Sequence, residues 1–365
     1  MIEKIRIENF KNFEEFEFDG FRRVNLIAGK NNVGKTNLLE ALYMGYTGFF
    51  PMGLIDLYSY RAQVPVGKIS KSREPETFSD GGIFQNAALG SFFNGSNRIS
   101  LKTNDTTETT LEKCNFEVTT KYDGAKPNFD LILLEPKEYD SNLPNNALVS
   151  YFTGNGNRLQ RFAVFINFPF NPFSIPPAKT RFGLLHAGSF GISGFEKQYQ
   201  EVFHTGRMKK FRDILSMFSD TEIEDTQLID NKTDGFKILY LSTANRGIVP
   251  AGDLGFGTNR MVSILLTLFG AENGVAFLDE VDLGIHYSRQ NLLWERIFQV
   301  AKELNVQIFA TTHSRDCFEA FAKVSNEFKG EGKFLRLQEF KGKIEAVDYD
   351  EKEMLGAYES DYEVR

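Results

Sequence analysis

At 365 residues the chain has ample material for a buried core, in one large domain or two modest ones, and is no small scaffold stapled by disulfides. A net charge of −7 and a pI near 5.4 exclude a general basic coat for nucleic acid, although a local basic patch stays compatible with them. The two cysteines, Cys114 and Cys317, lie far apart without metal-like spacing, a pattern of reducing compartments.

The opening Met1-Ile2-Glu3-Lys4 has no charged n-region followed by an apolar run. The longest early apolar stretch, Leu42 to Leu57, is interrupted by Gly45, Gly48, Pro51 and Gly53. The expectation is a soluble, cytoplasmic protein without a membrane partner. Residues 2–28 read as strands of period two, with Ile5 and Ile7 on one face and Phe16 and Phe18 following the turn-like Asn9–Phe13. This antiparallel edge leads into the buried-strand run Val24–Ala28.

Next comes Gly29-Lys30-Asn31-Asn32-Val33-Gly34-Lys35-Thr36, and then the helical stretch Asn37–Leu42, predicted to run to about Tyr46. Strand, glycine-rich turn and helix in this order have the form of a phosphate-binding P-loop. Backbone N–H groups of such a loop, here from Gly29, Asn31, Asn32, Val33, Gly34 and Asn37, curl around phosphate at a helix N-terminus. Lys35 would reach the β and γ oxygens of ATP, and the Thr36 hydroxyl would ligate Mg²⁺.

From Pro51 to Asn97 the pattern is irregular. Strand-like runs follow at Arg98–Thr103, Leu111–Tyr122, Phe129–Leu134 and Phe162–Asn167, separated by Asn, Asp, Gly and Pro clusters, which predicts an antiparallel β lobe. Gly194 to Phe218 is helical in pattern, with Phe195, Tyr199, Val202 and Phe203 spaced for one face and Phe211, Ile214, Leu215 and Phe218 for another. Its basic cluster, Arg207 to Arg212, is read as a solvated face in an acidic chain rather than a nucleic-acid contact. No heptads persist, so no coiled-coil arm is expected.

Gly255, Phe256, Gly257 and Thr258 open an apolar helix that runs to Phe269, and glycines at a helix N-terminus make an anion-binding end able to face a γ-phosphate. The strand Gly274–Leu278 then delivers two adjacent acids, at the end of the strand where ligands bind in open α/β sheets. Asp279 is assigned to Mg²⁺ and Glu280 to polarising the attacking water. A further strand, Val306–Thr312, delivers His313, which can hydrogen-bond the γ-phosphate or that water. Glu280, His313 and Lys35 are thus the candidate catalytic groups, while His186 and His204 read as structural or exposed.

Taken in order, Gly29–Thr36, Leu254–Arg260, Phe277–Glu280 and Thr312–Ser314 resemble the ABC-type ATPase heads of the SMC, RecF and OLD (overcoming lysogenization defect) group. The opening Ile5–Phe13 and the run Asn25–Asn32 are similar to that group's first strands, which brings Lys11 into the candidate nucleotide set. Gly255–Arg260 in place of a Leu-Ser-Gly-Gly-Gln signature, together with Phe309–Ser314 and the ending Tyr358–Arg365, places the resemblance nearest the OLD-like branch. It implies an α/β P-loop NTPase of ABC-ATPase type with an antiparallel β lobe and a helical insertion. Residues 1–50 and 250–365 would form the core, and residues 51–249 an insertion carrying the β lobe (about 98–170) and a helical lobe (about 194–220).

The resemblance further implies a homodimer, or a higher oligomer, with two ATP molecules sandwiched between the P-loop of one copy and Gly255–Gly257 of the other. Gly255 stands where the signature serine would be, leaving Arg260 or a neighbour to act in trans, and His286 stands at the D-loop aspartate position. The glutamine-loop residue is open between Gln63 and Gln85. No Asp-x-Asp metal-binding stretch backed by a further α/β domain is read after His313, so a nuclease or toxin activity is expected from a separate effector protein. Two functions follow from different classes: an ATP-driven switch for such an effector in anti-phage defence, hydrolysing ATP slowly, or a RecF-like repair ATPase that contacts DNA. A nucleotide-binding scaffold without hydrolysis is a third.

Overall fold

The computed structural model describes residues 1–47, 94–96, 98–104, 107–123, 126–133, 146–154, 157–166, 181–188, 195–219, 221–230, 237–349 and 353. The centre is a six-stranded sheet in the order β16-β15-β3-β14-β13-β9. Its members are β3 (Val24–Gly29), β9 (Phe182–Leu185), β13 (Val275–Leu278), β14 (Gln307–Thr311), β15 (Gly332–Phe340) and β16 (Lys343–Tyr349). Every pairing is parallel except β15 with β16.

β3, β13 and β14 are buried at every position, as parallel strands covered on both faces must be. Alternation sends Leu26, Ile308 and Ala276 into one apolar cluster, and Ile27, Phe309 and Phe277 into another on the opposite face. Helix α1 (Lys35–Thr47) covers the second face together with β1 (Lys4–Phe10), β2 (Phe13–Asp19) and β4 (Arg98–Thr103). The first face holds α2 (Glu196–His204), α3 (Met208–Phe218), α4 (Phe256–Gly270), α5 (Gln290–Glu303) and α6 (Arg315–Ser325). Within it the rings of Trp294 and Phe321 meet edge to face at 4.8 Å.

A second, antiparallel sheet runs β2-β1-β4-β5-β7-β8, with β6 also on β5. Here β5 is Thr107–Asp123, β6 Lys126–Leu133, β7 Asn146–Gly154 and β8 Asn157–Ile166. The predicted run Arg98–Thr103 is β4 itself, those at 111–122, 129–134 and 162–167 coincide with β5, β6 and β8, each of which starts earlier, and β7 is an addition. This sheet is continuous with the N-terminal hairpin, because β1 pairs with both β2 and β4. A third sheet, β10 (Ile223–Asp230), β11 (Lys237–Thr243) and β12 (Gly247–Pro250), is an antiparallel meander. The core sheet takes its edge strand β9 from within residues 51–249.

The helical stretch expected over 194–218 is two helices, broken at Thr205–Arg207. Tyr199, Val202, Phe211, Ile214, Leu215 and Phe218 are buried, but Phe203 is 63 % exposed. The basic cluster is spent on acids: Arg207 on Glu272 at 2.6 Å, Arg212 on Asp225 at 3.2 Å, and Lys210 on Glu303. Such pairs on a mixed-charge face match the solvated reading of that segment. Gln63, Gln85 and Tyr358–Arg365 lie outside the described residues.

Candidate functional site

β3 ends at Gly29, whose φ of +144° and whose neighbour forbid a side chain: a Cβ there would meet the Leu337 carbonyl oxygen at 2.5 Å. The loop then turns through Asn32 and Gly34 into α1. Lys35, 4 % exposed, donates from Nζ to the carbonyls of Gly29 and Lys30, each at 2.8 Å. Burial lowers its ammonium to about 8, even though Asp279 and Glu280 pull it upward.

The Thr36 hydroxyl donates to Asp279 Oδ1 at 3.1 Å, across 243 residues of sequence. Asp279 is buried at the end of β13, and burial raises its carboxyl while the bonds from Thr311 and Thr36 restrain the rise. A hydroxyl and a carboxylate oxygen converging here are hard donors that fit Mg²⁺, an ion that keeps waters and takes phosphate oxygens for its remaining positions. Among the described residues no cluster of three or more His, Cys, Asp or Glu forms an all-protein metal cage.

Glu280 follows with a φ of +46°, an uncommon conformation for its type. It is held from two sides: its N–H donates to Thr311 Oγ1 at 2.8 Å, and its carbonyl accepts from Arg260 Nη2 at 2.9 Å. His313 Nε2 lies 3.5 Å from Glu280 Oε1. Burial and then Lys35 lower the His313 imidazole, outweighing the opposing pull of Glu280. Asn31, Asn32, Gly34, Lys35, Thr36, Asn37, Glu280 and His313 line one cleft of about 880 Å³. Segments 243 and 277 residues beyond Thr36 thus reach the P-loop because β13 and β14 run parallel to β3 and end at the same edge.

Arg260, expected as one candidate to act in trans, is turned inward in its own chain. It is fully buried, and its guanidinium donates to the carbonyls of His186 (3.1 Å), Asp279 (2.6 Å) and Glu280 (2.9 Å) of its own chain. Its place is underneath the two acids, holding their backbone. Sequence reasoning missed this; the signal was an arginine set into an otherwise apolar helix. Lys11 is paired with Glu40 of α1, both nearly buried. A glutamate inside the apolar run of α1 was the cue to that pair.

Thr258, assigned to the nucleotide, turns its hydroxyl inward onto the carbonyls of Phe218 (3.0 Å) and Leu254 (3.3 Å) and is 2 % exposed. Its burial takes the hydroxyl away from a phosphate. Gly255, Phe256 and Gly257 stand outside the cleft lining. The Phe256 ring, half exposed, lies over Gly284, where a Cβ would sit 1.8 Å from Phe256 Cδ1. His286 is exposed next to this turn, with Nδ1 2.9 Å from Ser288 Oγ.

A parallel sheet that gathers a P-loop, paired acids and a histidine at one edge, with an antiparallel sheet on its flank, has the arrangement of a P-loop ATPase and is similar to the ABC-type heads of the SMC/RecF group. Residues 1–44 and 190–318 match the model of a family described as an AAA ATPase domain. The chain is 25 % identical over 346 residues to an "ATP/GTP phosphatase" of Helicobacter pylori, covering 90 % of this chain and 89 % of that one. It is also similar to the DNA replication and repair protein RecF of Desulforamulus reducens, 43 % identical over 47 residues, 13 % of each chain. Superposition on an Smc head domain with an extended coiled coil bound to the C-terminal domain of ScpA, derived from Pyrococcus furiosus, gives a TM-score of 0.47 at 10 % identity over 98 % of both chains. Among the described residues no helix is long and apolar enough to cross a membrane.

Proposed function

We propose that the chain binds Mg·ATP and hydrolyses it slowly to ADP and phosphate. The observation that carries this reading is the single cleft lined by Lys35, Thr36, Glu280 and His313, with Asp279 bonded to Thr36 at its floor. In the reaction Lys35 exchanges its loop carbonyls for the β and γ oxygens. Thr36 and Asp279 would hold Mg²⁺, which when bound neutralises charge on those oxygens. Glu280 orients the attacking water and takes its proton, and neutral His313 donates to the γ-phosphate or the water. The similarity to the Helicobacter pylori phosphatase supports phosphate-bond hydrolysis.

Two copies close around two ATP molecules, Gly255–Gly257 of one facing the P-loop of the other. Supporting this, Phe256, Leu283 and Tyr287 are large apolar groups left 36–66 % exposed on and beside the signature turn. As in the OLD-like branch the chain resembles, the closed pair acts as a switch for a separate effector in anti-phage defence.

Phosphate release from the wild type, Lys35→Ala and Glu280→Gln tests the first part, and mass in solution with and without ATP tests the second. Hydrolysis by Lys35→Ala at the wild-type rate would sink the ATPase reading. A Glu280→Gln protein that binds ATP yet keeps its mass would sink the sandwich. The RecF similarity favours a repair reading, which predicts ATP-dependent duplex binding that weakens steeply with salt.

A further inference from the structure

β14 ends at Thr311 and Thr312 follows it directly, and each hydroxyl reaches a different acid of the loop after β13. Thr311 Oγ1 donates to Asp279 Oδ1 at 2.7 Å. Thr312 Oγ1 donates to Asp282 Oδ1 at 2.7 Å and accepts from the Ser314 N–H at 3.0 Å. Thr312 is fully buried and sits immediately before His313, while Asp282 sits two residues after Glu280.

An ordinary hydroxyl turn needs the Ser314 bond alone. The bond to Asp282 is across the two loops, and it closes a ring: Glu280 to Asp282 along one loop, Asp282 to Thr312 by hydrogen bond, Thr312 to His313 along the other, and His313 back to Glu280 at 3.5 Å. Asp282 is itself fixed, since its carbonyl accepts from the Ile285 N–H at 3.0 Å, and the Glu280 carbonyl accepts from Leu283 at 3.0 Å. A charge-assisted bond of this length is short enough to fix a loop against a cleft open to water.

We infer that Asp282 and Thr312 are positioning residues whose hydrogen bond sets the separation of His313 from Glu280, an inference that rests on the ATPase reading for its catalytic consequence. Neither side chain lines the nucleotide cleft. Their loss therefore acts on the chemical step and leaves nucleotide affinity alone.

The experiment uses the full chain and two pairs of variants. Thr312→Val removes the hydroxyl and keeps the branched shape, and Thr312→Ser keeps the hydroxyl. Asp282→Ala removes the acceptor, and Asp282→Asn keeps an acceptor oxygen. Thr312→Val and Asp282→Ala are expected to lower kcat about tenfold with KM and ATP Kd within about twofold, and Thr312→Ser and Asp282→Asn to stay within about threefold of wild type. Thr312→Val combined with Asp282→Ala is expected to be no slower than either alone.

A second readout stands apart from catalysis: the His313 ring NMR signals of the ATP-free protein, assigned through His313→Asn, should move in Thr312→Val and return in Thr312→Ser. Equal kcat in Thr312→Val and wild type, equal losses in Thr312→Val and Thr312→Ser, or unmoved His313 signals would each overturn the inference. If Thr312→Val loses its melting transition, the Asp282→Ala and Asp282→Asn contrast decides. A wild type that releases no phosphate sinks the ATPase reading, and the His313 signals still judge the pair.

Discussion

Arg260→Met tests whether the backbone beneath the acids is held from within the same chain. The substitution keeps an apolar stem in α4 and removes three donated bonds of 3.1 Å or shorter, to His186, Asp279 and Glu280. At about 1 kcal/mol per bond the loss is about 3 kcal/mol, and no longer burying a cation returns part of it, leaving roughly 2 kcal/mol. Scaled to a chain of this size, that lowers Tm by about 3 °C in a thermal melt. The effect on turnover is larger, because Glu280 keeps its +46° φ only while its carbonyl and N–H are both held. A displacement of about 1 Å at such a group costs on the order of a hundredfold in kcat.

Mixing separates this account from a role in trans. In mixtures of Arg260→Met with Lys35→Ala, a sandwich site can join the intact P-loop of one copy to the intact Arg260 of the other, but no single chain holds both. Phosphate release restored by mixing, or Arg260→Met that melts and turns over like the wild type, would refute the cis clamp.

Gly284→Ala is expected to displace the Phe256 ring, because its Cβ would overlap that ring and its φ of +79° disfavours a side chain; ATP-dependent gain in mass should be lost while fluorescent-ATP binding persists. With its ammonium lowered to about 8, Lys35 of the nucleotide-free protein loses its charge as pH rises through that value, so ATP affinity measured by titration should fall above pH 8 and hold below it. His313 is held below its ordinary range, so it stays neutral to lower pH. The acid limb of the kcat profile should therefore lie below 6.5 and vanish in His313→Asn. Asp279→Asn weakens the only carboxylate bonded to Thr36 among the described residues, and the Mg²⁺ concentration for half-maximal phosphate release should rise at least tenfold.

The chemistry of the cleft was legible because its parts are local. A P-loop, two acids after a short apolar strand, and a histidine after another each carry their meaning within ten residues. What escaped was held by distant partners. Arg260 finds His186 and Glu280, and Thr258 finds Phe218, through packing that no periodicity encodes. The helical stretch at 194–218 showed its two apolar faces but not the break between them. The β lobe was visible as strands, yet its continuity with the N-terminal hairpin depends on the pairing of Ile5 with Thr103, which alternation cannot assign.

The position of β3 in the core sheet bears on how the chain is made. Its hydrogen-bonding partners on either side are β14 and β15, which begin at residues 307 and 332. A ribosome therefore releases the P-loop strand, buried at all six of its positions in the fold, long before either neighbour exists. Pairings this far apart are slow to close and leave a sticky edge exposed during synthesis. Chains arrested before residue 307 should bind chaperones and resist ordering by nucleotide, and synthesis through β15, which ends at Phe340, should be the event that makes the head competent.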